Sequence, residues 1–403
     1  MSQGDRDAVL LGGVRTPVGR FLGGLHSLSA PELGARTVEA VLERTGVDPD
    51  HVDEVIMGNV VGAGAGQAPA RQAAVRGGVP PEVPAVTVNK VCGSGLKAAM
   101  LGAQAIRAGD ADLVVVGGFE SMSRAPYYLD GHRGGVKFGD QKLRDGLIHD
   151  GLWCSFGDCH MGGYAEYTAS KAGISREDAD AFSLRSHQKA VAAMEEGRFD
   201  AELVPVEVAQ RKKTVTVERD ECPRADTTME ALSKLKPAFP KDAPPEVEDL
   251  VVTPGNAPGL NDGAAALVLA SGAFARAHGL QARARVTGYA AGGTDPKEIF
   301  FAPVVAVNRL AERAGVNPAD FDLVELNEAF AVQALADIRE LGMDEDRVNV
   351  HGGAVALGHP IGASGARILV TLLHALEGRG GNTGLASLCL GGGNAVALSI
   401  ERV

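Results

Sequence analysis

Residues 42–55, LERTGVDPDHVDEV, align without a gap to residues 311–324, AERAGVNPADFDLV. Glu43, Arg44, Gly46, Val47, Pro49, Asp53 and Val55 recur as Glu312, Arg313, Gly315, Val316, Pro318, Asp322 and Val324. Seven identities in fourteen positions exceed what a shared helix–turn–strand pattern supplies, so the chain reads as a duplication. Each copy predicts a helix ended by glycine, a short turn carrying proline, and an apolar strand.

The flanks recur in the same order. A glycine-rich turn into a helix follows each copy, KVCGSGLKAAM at 90–100 and HPIGASGARIL at 359–369. Each half then closes with a strand and a run of glycines, ADLVVVGG at 111–118 and LASLCLGGG at 385–393. Ser29 to Glu32, SAPE, has capping-box spacing before a periodic run to Arg44, with Gly46 as terminator. Helices alternating with continuous apolar strands predict an α/β fold whose sheets are covered on both faces. The expected units are an N-terminal half at 1–120 and 251–280, a loop domain inserted in it at 121–250, and a C-terminal half at 281–403. The insertion reads as irregular, with the basic RKK at 211–213 and the Pro-rich KPAFPKDAPPEVED, and as a cover over a substrate.

A net charge of −12 argues against a nucleic-acid footprint, because phosphate binding needs clustered Lys and Arg; an anionic ligand must find a local basic patch. Five cysteines at 92, 154, 159, 222 and 389, with no CxxC pair, suggest neither a disulfide framework nor a structural zinc site and fit a reducing, cytoplasmic setting. The first residues, MSQGDRDAVLLGGVRTP, do not read as a leader, and no apolar run reaches the roughly 18 residues of a membrane span.

Cys92 stands at a helix entry between an apolar lead-in and Gly93 and Gly95. It is either a small buried hydrophobe or a nucleophile whose thiolate the helix N-terminus stabilises. A nucleophilic thiol needs a base, and VHGGAVALGHPIGASG at 350–365 offers His359, with His351 as competitor. His359 is favoured because its turn matches, in the second repeat, the place of Lys90 to Cys92 in the first. Cys389 reads by residue type as a core cysteine, yet it closes the second repeat at a loop facing the same centre. Two cysteines and a histidine without metal spacing point to acyl transfer, one thiol carrying the acyl group and the other moving protons. Asn327 and Glu328 end an apolar strand, where Asn is a turn former or an amide that orients water or an oxyanion. Cys154, Cys159 and His160 could be read as a metal cluster, but no partner cluster exists. LNDGAAALVLA at 260–270 reads as a tight turn into a buried strand and nothing more.

With these residues in view the chain resembles the thiolases, closest to their acetyl-CoA C-acetyltransferase branch, over nearly its whole length. RTPVGRFLGGL (15–25), GQAPARQAAVRGGVPPEVPAVTVNKVCGSGLKA (66–98), GGFESMSRAPY (117–127), LKPAF (235–239), GLNDGAAA (259–266), NEAFA (327–331), NVHGGAVALGHPIGASGAR (349–367) and CLGGG (389–393) carry the resemblance. It implies the layered α/β/α/β/α thiolase fold. It also implies acylation of Cys92 after His359 takes its proton, then Claisen condensation with a second acetyl-CoA deprotonated by Cys389, or the reverse thiolysis. By resemblance, His359 and a water on Asn327 form one oxyanion hole, and the N–H groups of Cys92 and Gly391 the other. His160, Met161, Ala329, Phe330 and Arg224 are implied for CoA binding. Neither metal nor cofactor is implied, since CoA thioesters are the substrates, and the expected partner is a second copy, as a homo-oligomer and a dimer of dimers.

Three departures fall on the substrate side. Ala257-Pro258-Gly259 replaces an Ala-Ser-Gly, EIFFAP at 298–303 replaces a Met-Gly-x-Gly-Pro segment, and Asn394 replaces a methionine. They leave a degradative 3-ketoacyl-CoA thiolase of broader chain length as the alternative. A ketoacyl synthase has no need of Cys389, and a non-catalytic lipid-binding relative would have lost Cys92, His359 or Cys389.

Overall fold

The computed structural model describes residues 4–211 and 213–403. Residues 1–3, the start of the stretch read for a leader, and Lys212 of the RKK run lie outside the described residues. In the first half strand β1 (Ala8–Arg15) leads to helix α1 (Ala30–Thr45), then β2 (Glu54–Gly58) and β3 (Ala85–Val88). Helix α2 (Ser94–Ala108) and β4 (Leu113–Ser121) follow, and β5 (Asn261–Ser271) closes the half after the insertion. The second half repeats the plan with β6 (Ala284–Gly293), α5 (Ala302–Ala314), β7 (Leu323–Leu326), α6 (Ala331–Leu341), α7 (Ile361–Arg379), β8 (Thr383–Leu390) and β9 (Asn394–Arg402).

The sheet runs β7-β8-β9-β6-β1-β5-β4-β2-β3. Read from the β6/β1 junction, the order mirrors itself except for the edge strand β3: β1 answers β6, β5 answers β9, β4 answers β8 and β2 answers β7. The halves meet where β1 and β6 pair antiparallel at Val9 with Arg285 and Leu10 with Ala284.

Alternate residues of each strand feed different cores, as the period of two requires. Val114, Val116, Leu267 and Leu269 face a middle core shared with Leu96 and Met100 of α2, Ile368 and Leu372 of α7, and Leu388 and Leu398 of the second half. Leu113, Val115 and Val268 face outward onto Leu33, Val38 and Val41 of α1. Ala395 and Ala397 face Ala306, Val307 and Leu310 of α5 on the opposite outer side. The layers are therefore α/β/α/β/α, with α2 and α7 in the centre.

The repeated residues do the same work twice. Gly46 and Gly315 end α1 and α5 in the left-handed region, φ 66° and 68°, which an L side chain resists. Asp53 accepts the N–H groups of Asp112 and Leu113 at 2.7 and 2.9 Å; Asp322 accepts those of Asn382 and Thr383 at 2.8 and 2.9 Å. The Ser29 N–H donates to Glu32 at 2.8 Å, closing the capping box.

The segment 121–250 is less irregular than its sequence reads. It holds helices α3 (Met161–Ala172) and α4 (Arg176–Glu195) and a hairpin of Val206–Gln210 with Lys213–Val217. Tyr164, Ala165, Ala169 and Phe182 share the outer core of the second half. The buried side of α4 is mostly small, including Ala179, Ser183, Ser186, Ala190 and Ala193, so its apolar periodicity is faint. Among the described residues no helix is long and apolar enough to cross a membrane.

Candidate active site

The two central helices bring their entries together because glycines let them touch. A Cβ added to Gly95 would sit 2.6 Å from the Ala366 nitrogen, and one added to Gly365 would sit 2.4 Å from the Leu96 nitrogen. Ser94-Gly95 and Ser364-Gly365 are therefore equivalent positions across the pseudo-two-fold. In that register His359 answers Asn89, one residue before the Lys90–Cys92 match expected from sequence, and Gly362 answers Cys92.

A pocket of about 290 Å³ opens at this crossing. Cys92, His359, Cys389 and Gly391 line it, with Met161, His160, Ala329 and Phe330 further along its wall. His351 lies elsewhere, edge-on to Phe199 at 5.8 Å.

Cys92 follows Val91, a β-branched residue held at φ 46°, the kind of backbone strain that clusters at functional sites. Its sulfur is reached by its own backbone N–H and by that of Gly391. The thiol is raised, not lowered as its helix-entry position leads one to expect. Burial pushes Cys92 up to about 12, aided by the nearby Glu120 charge, and outweighs the two N–H groups. Cys389, fully enclosed, is raised as well, by burial and by its proximity to Cys92.

His359 is buried, and burial with the Arg367 charge pushes it down to about 3. Its Nδ1 lies 2.6 Å from Ser364 Oγ, which donates to the Pro360 carbonyl at 2.9 Å. A serine hydroxyl has one proton, so Nδ1 carries the hydrogen and Nε2 keeps its lone pair. That Nε2 has no protein partner. The resting pair is thus a neutral thiol and a neutral imidazole.

Asn327 is fully buried at the end of β7, and neither atom of its amide has a protein partner. Glu328 is a brace: its carboxylate accepts from Ser186 Oγ at 2.8 Å, Asn349 Nδ2 at 2.9 Å and the Val355 N–H at 3.0 Å. His160 caps α3 by accepting the Gly162 N–H at Nδ1, 3.0 Å, so its hydrogen sits on Nε2. Its ring stacks on Phe239 at 4.5 Å. Arg224 is exposed and outside the pocket wall, against His187 at 3.1 Å. Of the departures, Ala257, Pro258, Gly259, Ile299 and Phe300 line the pocket, with Phe300 edge-on to Phe330 at 5.3 Å. Phe301 turns away beneath Lys171. Among the described residues no cluster could hold a metal ion.

Two residues escaped the sequence reading. Asn261, taken for part of a simple turn, accepts the His359 N–H at Oδ1, 2.8 Å, and donates to the Gly19 carbonyl at 2.9 Å. Ser364 orients the imidazole. The repeat held a signal for Ser364, since Ser94 is its counterpart; Asn261 acts across 98 residues of sequence and left none.

The family models "Thiolase, N-terminal domain" and "Thiolase, C-terminal domain" match residues 8–273 and 280–402. The chain is a thiolase. Acetyl-CoA acetyltransferase of Pseudomonas aeruginosa is 55% identical to it over 398 residues, covering 98% of this thiolase and 100% of the relative. Acetyl-CoA acetyltransferase of Escherichia coli K12 is 52% identical over 399 residues, 99% and 100% of the two chains. The crystal structure of the Bacillus anthracis acetyl-CoA acetyltransferase superposes with a TM-score of 0.95 at 42% identity, covering 100% of both chains.

Proposed function

We propose that this thiolase is an acetyl-CoA C-acetyltransferase, condensing two acetyl-CoA to acetoacetyl-CoA and CoA and catalysing the reverse thiolysis. The observation that carries the reading is the convergence of Cys92, Cys389 and the unpartnered face of His359 on one pocket. The full-length similarity to proteins named acetyl-CoA acetyltransferase supports it.

In this reading Cys92 Sγ attacks the thioester carbonyl while its proton passes to His359 Nε2. With both groups neutral at rest, transfer accompanies attack and no standing ion pair is needed. The carbon–sulfur bond to CoA breaks, and His359 returns the proton to the departing thiolate. Cys389, acting as its thiolate, removes an α-proton from the second acetyl-CoA, whose carbon attacks the acyl group and displaces Cys92 as a thiolate; the proton gained by Cys389 then passes to Cys92, which resets both sulfurs. The N–H groups of Cys92 and Gly391, both directed at the sulfur, are the donors for the acyl oxyanion. His359 and a water on Asn327 hold the enolate oxygen. His160 and Met161, with Ala329 and Phe330, flank the pantetheine, and Arg224 meets the nucleotide phosphates outside the pocket. The chemistry uses no metal or cofactor.

Mass spectrometry after mixing with acetyl-CoA tests the reading. An acetyl group on Cys92 is expected, and Cys92→Ala should lose both directions of the reaction; normal turnover by that variant sinks the proposal. Broader chain length is the second reading, motivated by the altered pocket wall at Ile299 and Phe300. Thiolysis rates along a 3-ketoacyl-CoA series decide it, an acetyl-specific pocket failing beyond about five carbons.

We place the protein in the cytoplasm, consistent with five free cysteines. A dimer of dimers fits an edge strand β3 with Val86 exposed and the apolar Tyr127, Phe138 and Leu143 bare on the inserted segment. Light scattering reads the mass directly.

A further inference from the structure

We propose that Glu120 is a positioning residue that holds the His359 turn against the Cys92 side of the site. Its carboxylate fills the entry of the second central helix in the place the reacting oxygen takes at the first. The inference rests on the roles proposed above for Cys92 and His359.

Glu120 is fully buried at the end of β4, and among the described residues no cation pairs with it. Its oxygens accept four N–H groups instead. Oε1 takes Asn59 Nδ2 at 2.8 Å and the Val61 N–H at 3.2 Å; Oε2 takes the Val60 N–H at 3.0 Å and the Gly362 N–H at 3.0 Å. A carboxylate has about four acceptor positions, so both oxygens are saturated and a proton would unseat a donor. Burial lifts the group to about 7 against the pull of these donors, whose four N–H groups all favour the ionised form.

The four donors come from two places. Gly362 is the second residue of α7, three residues after His359, while Asn59, Val60 and Val61 belong to the loop after β2. That loop reaches Cys92 in two steps: Asn89 Nδ2 donates to the Val60 carbonyl at 3.3 Å, and Asn89 Oδ1 accepts the Val91 N–H at 3.0 Å. One side chain thus ties the base-bearing helix to the residue beside the nucleophile.

The pseudo-two-fold gives this tether its meaning. Gly362 matches Cys92 in position, although it lies in the first turn of α7 while Cys92 precedes the N-cap Gly93 of α2, so the N–H that Glu120 occupies stands at the place in the repeat of the one aimed at the sulfur. Helix entries favour anions, and each of these holds one position for a negative oxygen. At the second entry the protein supplies that oxygen permanently; at the first it stays free for substrate. Gly362 is required for the fit, since a Cβ there would lie 2.6 Å from the Phe119 carbonyl and 2.7 Å from Glu120 Oε2. Cys92 is the titratable group that feels the Glu120 charge, which favours the thiol.

Glu120→Gln keeps the shape and removes the charge, and its amide must face N–H donors. Asn59 Oδ1 has no partner, so a flip of Asn59 recovers one bond and still strands Val61. The expected result is an acetoacetyl-CoA thiolysis kcat at least about tenfold lower, with KM for CoA within about twofold of the parent. Alkylation of Cys92 by iodoacetamide should reach half-rate at lower pH, because a negative charge beside the thiol is gone. Asn59→Asp with Glu120→Gln returns a carboxylate next door and should restore the alkylation half-point. Glu120→Asp keeps the charge and shortens the arm, so kcat should fall with the half-point unmoved. Parental kcat in both single variants overturns the inference, as does a loss that only tracks the folded fraction with alkylation unshifted. An active Cys92→Ala would overturn the site reading itself; an inactive Cys92→Ala beside parental kcat in both Glu120→Gln and Glu120→Asp removes this inference alone.

Discussion

The turn into α2 and the turn into α7 are built alike and used differently. Both central helices carry a Ser-Gly where they cross, at the first residues of α2 and one turn inside α7, and both serine hydroxyls bond back to a carbonyl of the entry, Ser94 to Val91 at 2.6 Å and Ser364 to Pro360 at 2.9 Å. At the first entry a strained Val91 presents Cys92, whose backbone N–H is left for sulfur or substrate. At the second, Gly362 gives its N–H to Glu120 and the serine has a histidine to orient. Duplication supplies the frame, and a few substitutions within it place a cysteine at one turn and a serine-held histidine at the other, the division of labour proposed above.

The crossing is the part both turns share, so breaking it should hurt most. Gly95→Val and Gly365→Val each drive a side chain into backbone atoms that cannot yield, and a loss of more than about 3 kcal/mol is expected from either. Denaturant unfolding measures it, and a stable, active Gly365→Val would show that the entries need not touch. A smaller, one-sided effect separates the turns. Ser364→Ala removes the partner of His359 Nδ1 and should lower thiolysis kcat about 10- to 100-fold, whereas Ser94→Ala should cost about 1 kcal/mol of stability with the rate near the parent's. Equal kinetic losses would mean that the serines serve the helix entries alone. Smallest of all, Asp53→Ala and Asp322→Ala should each destabilise by about 1 kcal/mol, because each strands two N–H groups at a partly solvated turn. Matching values confirm equivalence of the halves; a difference much beyond about 0.5 kcal/mol breaks it.

The duplicated frame was readable because its signals are local. Gly46 and Gly315 stop helices through their own backbone angles, and the apolar strands announce double-sided burial through composition. Cys92, His359 and Cys389 were singled out because the repeat put glycine-rich turns at equivalent places, and the fold brings all three to one pocket. The helices of 161–195 were missed where small residues make the buried face, and Asn261 because its partner is remote in sequence. The charge state of Cys92 was misjudged for a related reason. Helix-entry donors are visible in a sequence, whereas the desolvation that outweighs them, and the Glu120 charge that adds to it, come from chain folded over the site.

Sequence alone carried the two-fold plan, the family and the candidate residues that the fold gathers in one pocket, since periodicity, glycine spacing and residue type act over a few neighbours. Packing chose which N–H groups stay free, which ring nitrogen keeps its lone pair and which carboxylate stands beside the thiol. Those choices depend on atoms brought together from distant strands, where burial decides the strength of every charge and hydrogen bond.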